Sequence, residues 1–170
     1  MSEENEGGGR NIARRTFLQA SGSVMGAAAI GFPSGARARS LTHDEFTALD
    51  AVGLAALIRQ GEVSAAEVLE AAITRAEAVN PVINAIVLKH YDRARKAVAG
   101  GAPTGALAGV PWLLKDLGTH LKGTITTGGS AFFRDAVSGY DSTIVERYRR
   151  GGLVIFGKTN PPELGVSNVT

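Results

Sequence analysis

The sequence predicts an α/β fold with a sheet covered on both faces. Three observations point there. Runs with helical spacing alternate with short β-branched runs, which is how helices and strands alternate around a sheet. Leu153 to Phe156 is continuously apolar, as a strand buried on both faces must be. Apolar residues make up 44% of the 170, enough for a packed core.

The elements follow in order. Phe46 to Gln60 is apolar and alanine-rich, and Gly61 closes it as a helix C-cap. Ser64 and Glu67 form a capping box, each side chain serving an orphan amide of the other. Val68, Leu69, Ala72, Ile73, Ala76 and Val79 then recur at helical spacing, and Asn80-Pro81 is expected to end that helix. Val82 to Leu88 predicts a strand, and Tyr91 to Ala99 a helix with a polar face. Gly100 to Gly105 is a turn-rich linker. Leu107 to Leu114 is extended and ends at Lys115-Asp116, and Gly118 to Gly129 is a loop. Asp141 is expected to cap a helix that buries Ile144, Val145 and Tyr148. Asn160-Pro161-Pro162-Glu163 reads as the start of one more helix.

The first 38 residues read as an address. Arg14-Arg15-Thr16-Phe17-Leu18 precedes a mildly apolar Gly/Ala-rich stretch, and Ala36-Arg37-Ala38 is a small-x-small cleavage site. The arginine pair resembles a twin-arginine export signal, although Ala13 and Gln19 depart from its flanks. The expectation is an exported, periplasmic or extracellular protein whose mature domain covers residues 39–170, with an uncleaved membrane anchor as the lesser alternative.

Charge and composition exclude several classes. Eighteen basic residues against sixteen acidic ones give +2, too balanced for a nucleic-acid partner. Arg147, Arg149 and Arg150 suit the negative end of a helix dipole. With no cysteine there is no disulfide, thiolate metal site or cysteine nucleophile. Gly152 to Thr159 matches the P-loop pattern formally, but its four intervening residues are Leu, Val, Ile and Phe, which belong to a strand. Nucleotide binding is therefore rejected. His43, His90 and His120 share no metal-like spacing. No cofactor is expected.

Lys115 is the best candidate for chemistry. Its stem leaves an apolar segment, and a lysine desolvated there would have a lowered pKa and could act as a base. The plainer reading is a lysine that snorkels to water and pairs with Asp116. Trp112 reads as core or pocket wall, Asp116 as a group that orients backbone, and Lys158 and Asn160 as loop-holding groups, with pocket lining as their alternative role.

Four segments in register carry a resemblance. Gly109-Val110-Pro111-Trp112-Leu113-Leu114-Lys115-Asp116, Thr126-Thr127-Gly128-Gly129-Ser130, Asp141-Ser142-Thr143-Ile144-Val145 and Gly157 to Gly165 resemble the corresponding segments of amidase-signature enzymes. The Pro-Trp-Leu-Leu-Lys-Asp and Pro-Pro-Glu-Leu-Gly variants look most like members similar to 6-aminohexanoate cyclic-dimer hydrolases. The resemblance implies the N-terminal portion of a mixed β-sheet between helix layers. It implies hydrolysis of a small-molecule amide by a Ser–cis-Ser–Lys triad without metal or cofactor, with Lys115 in the lysine's place.

It also places both serines in a Gly/Ser-rich stretch after the Gly-Lys-Thr-Asn segment. Ser130, Ser138, Ser142 and Ser167 do not lie at the matching positions. Three readings stay open: a portion of an active amidase, a catalytically inert remnant, or a non-enzymatic interaction module. A sheet cut short is expected to leave Leu153 to Phe156 uncovered.

Overall fold

A computed structural model describes residues 41–170. The proposed leader lies outside the described residues.

Helix α1 (His43–Ala48) starts at a capping box between Thr42 and Glu45. Leu49 interrupts it, and Asp50 caps a separate helix, α2 (Ala51–Gln60). The single helix expected over Phe46 to Gln60 is thus two, because the Asp50 carboxylate takes the amide of Gly53 and restarts the chain there. Gly61 does close α2, in the left-handed region at φ 73°.

Helix α3 (Ala65–Ile83) begins at Ser64, whose Oγ accepts from Glu67 N at 3.2 Å while Glu67 Oε2 accepts from Ser64 N at 2.8 Å. Val68 and Leu69 on its inner face are fully buried, each stabilising the fold by roughly 1.5–3 kcal/mol. The helix does not end at Pro81. It runs on to Ile83, and Asn84 closes it in the left-handed region. Proline here removes only one bond, to the Glu77 carbonyl, at an exposed last turn. Asn80 also brackets Ile86, accepting from its N–H at 2.7 Å and donating to its carbonyl at 2.9 Å. The strand is consequently shorter than expected: β1 spans Ile86–Lys89, while Val82 and Ile83 are helical and exposed.

Next come α4 (Tyr91–Val98), β2 (Pro111–Lys115), a 3-10 turn at Ala131–Phe133, α5 (Thr143–Arg150), β3 (Val154–Thr159) and a 3-10 turn at Glu163–Gly165. Two further expectations change. Asp141 is not the cap of α5; Ser142 holds that position, and Asp141 accepts from Lys122 N at 2.7 Å and pairs with Arg149 at 2.6 Å. Of the predicted buried face of α5, Val145 is fully buried but Ile144 is exposed. At Asn160 to Glu163 no α-helix forms; Leu164 turns left-handed at φ 51°.

The sheet order is β1-β3-β2, with β3 antiparallel to β1 and parallel to β2, so the sheet is mixed as expected. Val154 and Phe156 pack with Leu69, Ile73, Ala94 and Val98 of α3 and α4. Ile155 packs with Leu114 and with Val145 of α5 on the opposite face. Leu153 to Phe156 is therefore buried on both faces, at 2–8% exposure, and not left uncovered. The strand expected to be exposed is the central one, shielded by its helices. The apolar side chains that do reach solvent sit elsewhere, Phe132, Val137, Tyr140 and Leu164 among them.

A bulge in β3 sets the direction of Lys158. Trp112 pairs with Ile155 but Leu113 pairs with Gly157, so β3 carries one extra residue, Phe156. Strand side chains alternate, so without the bulge Lys158 would share the face of Phe156. With it, Lys158 lies opposite Leu114, toward the loop after β2.

Candidate active site at the carboxyl end of β2

The parallel strands β2 and β3 finish together, Lys115 beside Thr159. Ligands of α/β sheets bind beyond the carboxyl ends of such strands. Asp116 N donates to Thr159 O at 3.0 Å, which carries the pairing one residue further. Alternation then sends neighbouring side chains apart: Asp116 is fully buried, and Lys115 is exposed. The Lys115 carbonyl accepts from the Thr119 hydroxyl.

The desolvated lysine is thus not the one expected. It is Lys158, fully buried at the end of β3. Its Nζ donates to Ile125 O at 2.6 Å and to Thr126 Oγ1 at 2.5 Å, and lies 3.6 Å from Asp116 Oδ1. Burial pushes the Lys158 ammonium below the ordinary lysine range, and the Asp116 carboxylate opposes that shift. Asp116 in turn accepts from Thr127 N at 3.1 Å on each oxygen, and from the Thr127 hydroxyl. One ion pair holds three consecutive loop residues, 125 to 127. Asp116 and Lys158 accordingly orient backbone and hold the loop, as the sequence suggested. Lys158 is also no phosphate-binding lysine: it is strand, and its amine is spent on the loop.

Past Thr127 the chain makes a tight turn. Gly128 and Gly129 are both left-handed, at φ 61° and 73°. A Cβ at Gly129 would meet Pro161 O at 2.7 Å, so only glycine fits this close crossing of two backbones. Leu164 N donates to Gly128 O at 2.7 Å, and Ser130 Oγ donates to Glu163 Oε1, also at 2.7 Å. The buried Ser130 hydroxyl is committed to that clamp. Ser142 caps α5 and Ser167 accepts from Val169 N.

An open cavity of about 360 Å³ lies against this loop. Leu117, Phe133, Val137, Tyr140 and Leu164 give it an apolar wall, and His120, Thr126, Thr127 and Ser138 a polar one. Lys115 is not among its lining residues. The residues 136–138 that close it are tied back by Thr126 N to Ala136 O at 3.1 Å and Ser138 N to Thr124 O at 2.8 Å. Trp112 is half-buried and packs against the core, its ring 5.2 Å from that of Tyr148.

Two histidines acquire definite settings. His90 Nε2 is buried with no hydrogen-bond partner. His120 Nδ1 lies 3.1 Å from Ser138 Oγ, and its ring packs 5.0 Å from that of Tyr140. Sequence reasoning passed over this His120–Ser138 contact because it joins loop residues eighteen apart with no periodic signal. Among the described residues, no cluster of three or more His, Asp or Glu could hold a metal.

Comparison with known proteins places this arrangement. Residues 67–170 match the family model described as Amidase. The chain is 42% identical over 120 residues to 6-aminohexanoate-cyclic-dimer hydrolase of Paenarthrobacter ureafaciens, covering 68% of this chain and 24% of that protein. It is 37% identical to lipoamidase of Enterococcus faecalis, over 75% of this chain and 17% of the relative. Among solved structures, 6-aminohexanoate cyclic dimer hydrolase complexed with substrate superposes with a TM-score of 0.64 at 40% identity, covering 68% of this chain and 24% of that one. A bacterial aryl acylamidase of the amidase signature family superposes at 0.63 and 34% identity, covering 68% and 26%. The chain spans about a quarter of the length of the cyclic-dimer hydrolase it matches.

Proposed function

The chain belongs to the amidase family, and from that membership we propose that it supplies the lysine of a serine amidohydrolase that cleaves small-molecule carbon–nitrogen amide bonds. The observation that carries the reading is the place of Lys115: an exposed amine at the carboxyl end of a parallel strand, next in sequence to the buried Asp116. In this reading Lys115 is the base of a Ser–cis-Ser–Lys triad. It takes the proton relayed from a nucleophilic serine, since a hydroxyl attacks an amide only when a neighbouring base receives its proton. A lysine does that only when neutral. The exposed Lys115 of this structure therefore needs covering in the working enzyme, and in this proposal the remaining three quarters of a relative-sized protein provide both the cover and the serines.

Similarity to the cyclic-dimer hydrolase and the lipoamidase favours a substrate with an extended aliphatic portion. The apolar wall of the cavity agrees with that preference. Export through the twin-arginine-like leader is part of the same proposal. Grafting residues 41–170 in place of the matching segment of the cyclic-dimer hydrolase tests the function. Transferred amide hydrolysis must depend on Lys115.

A further inference from the structure

Three hydrogen bonds run in series from the buried ion pair to the cavity. Lys158 Nζ meets Thr126 Oγ1 at 2.5 Å, Thr126 Oγ1 meets Ser138 Oγ at 2.9 Å, and Ser138 Oγ meets His120 Nδ1 at 3.1 Å. Distances alone leave the proton order in the last two links open, but the first link together with a partner for every hydroxyl proton selects one order. A lysine ammonium has three donors and no acceptor. Thr126 Oγ1 must accept there, so its own proton is free for Ser138. Ser138 then donates to His120, because with Nδ1 as the donor Ser138 Oγ would receive two donors and its own proton would have no partner in the relay. Nδ1 then accepts, and the ring proton of a neutral imidazole must sit on Nε2.

The reverse order is worse. If His120 donated from Nδ1 and Ser138 donated to Thr126, Thr126 Oγ1 would receive two donors and its own proton would have no partner in the relay. A charged donor at the head of a chain also polarises each hydroxyl after it in the same direction. The other acceptor of Lys158, Ile125 O, and the Asp116 carboxylate 3.6 Å away hold the ammonium in place and keep it from turning away.

We propose that Lys158 is a positioning residue that acts through Thr126 and Ser138 to fix His120 as its Nε2–H tautomer, making this ring a hydrogen-bond donor to a carbonyl oxygen in the cavity. His120 lines the cavity, and among the described residues its protein hydrogen bond is made through Nδ1. The ring's backbone is held too, with Ser142 N donating to His120 O at 2.9 Å. A carbonyl is the group an amide substrate presents. The use of the donor rests on the amidase reading, but the tautomer does not.

The test is nitrogen NMR of the imidazole rings in the 170-residue protein at a pH where His120 is neutral. The expected result is a single tautomer, with Nδ1 resonating as an unprotonated nitrogen. Thr126→Val, which removes the relaying hydroxyl at nearly constant volume, should produce a mixture of tautomers, and Thr126→Ser should restore the single one. A wild-type His120 protonated at Nδ1 overturns the proposal, as does a Thr126→Val protein with an unchanged ring. Either failure would leave the amidase reading standing. Conversely, an inactive graft with the expected tautomer would count against that reading alone.

Discussion

Asp116 and Lys158 meet 3.6 Å apart with neither side chain exposed to solvent. They come from adjacent strand ends 42 positions apart in sequence, and between them they hold residues 125 to 127. Removing one charge leaves the other buried and unpaired, which costs about 3–5 kcal/mol. Lys158→Met should therefore destabilise the protein by about that amount in urea unfolding. Adding Asp116→Asn should recover part of the loss, because the stranded charge is gone. A single variant as stable as the wild type would show that the pair is not closed in solution.

Gly129→Ala should destabilise by more than about 1 kcal/mol. The left-handed φ of 73° and the approach to Pro161 O act together there. Gly139, with open space around its missing Cβ and no left-handed φ, is the matched control and should tolerate alanine. Chemical denaturation of both variants checks the contrast.

Stability should fall as the solution is acidified from pH 7.5 to 5.5, and His90 should be a cause. Burial holds the His90 imidazole below its ordinary value of 6.5, helped by the nearby charges of Lys158 and Arg93. The depressed pKa sets the sign. Well above pH 6.5 the ring is neutral in both states and there is no penalty. As pH drops through 6.5, the unfolded chain takes up a proton that the folded one resists, and folding loses free energy. His90→Asn should flatten this part of the profile. An unchanged slope would show that the ring is not desolvated.

The leader proposal predicts that residues 1–38 export a folded reporter through the twin-arginine route. Replacing Arg14 and Arg15 by lysine should abolish that export. Equal export by the lysine pair would contradict the assignment.

Which features were legible in the sequence depended on the range of each signal. The Ser64–Glu67 box and the Gly61 cap were legible because capping is settled within four residues. Four consecutive apolar side chains made Leu153 to Phe156 legible as a buried strand, whereas the expectation that a shortened sheet would uncover it failed because helices pack on both its faces. The end of α3 was misread because proline biases the residue before it against helix without forbidding a last turn; Asn84 and the side chain of Asn80 decided the matter. The helix expected after Asn160 fails where Leu164 turns left-handed and its amide joins Gly128 O, a contact from another loop. In the candidate site, the family was legible through four segments in register. The burial of Lys158 was not. It depends on a one-residue bulge at Phe156 and on an acid 42 positions away, and neither leaves a local pattern.

The role of Lys115 is tested most directly by the hydrolysis rate of the grafted enzyme with and without its amine. Residues 41–170 replace the matching segment of the Paenarthrobacter cyclic-dimer hydrolase, and hydrolysis of the cyclic dimer is followed. The expected result is measurable turnover that Lys115→Ala lowers by at least about 100-fold in kcat, the scale of a lost general base. Lys122→Ala, at an exposed lysine seven residues on, should leave it within a few-fold. A folded, active graft that keeps its rate without the Lys115 amine would contradict the assignment of Lys115 as the base.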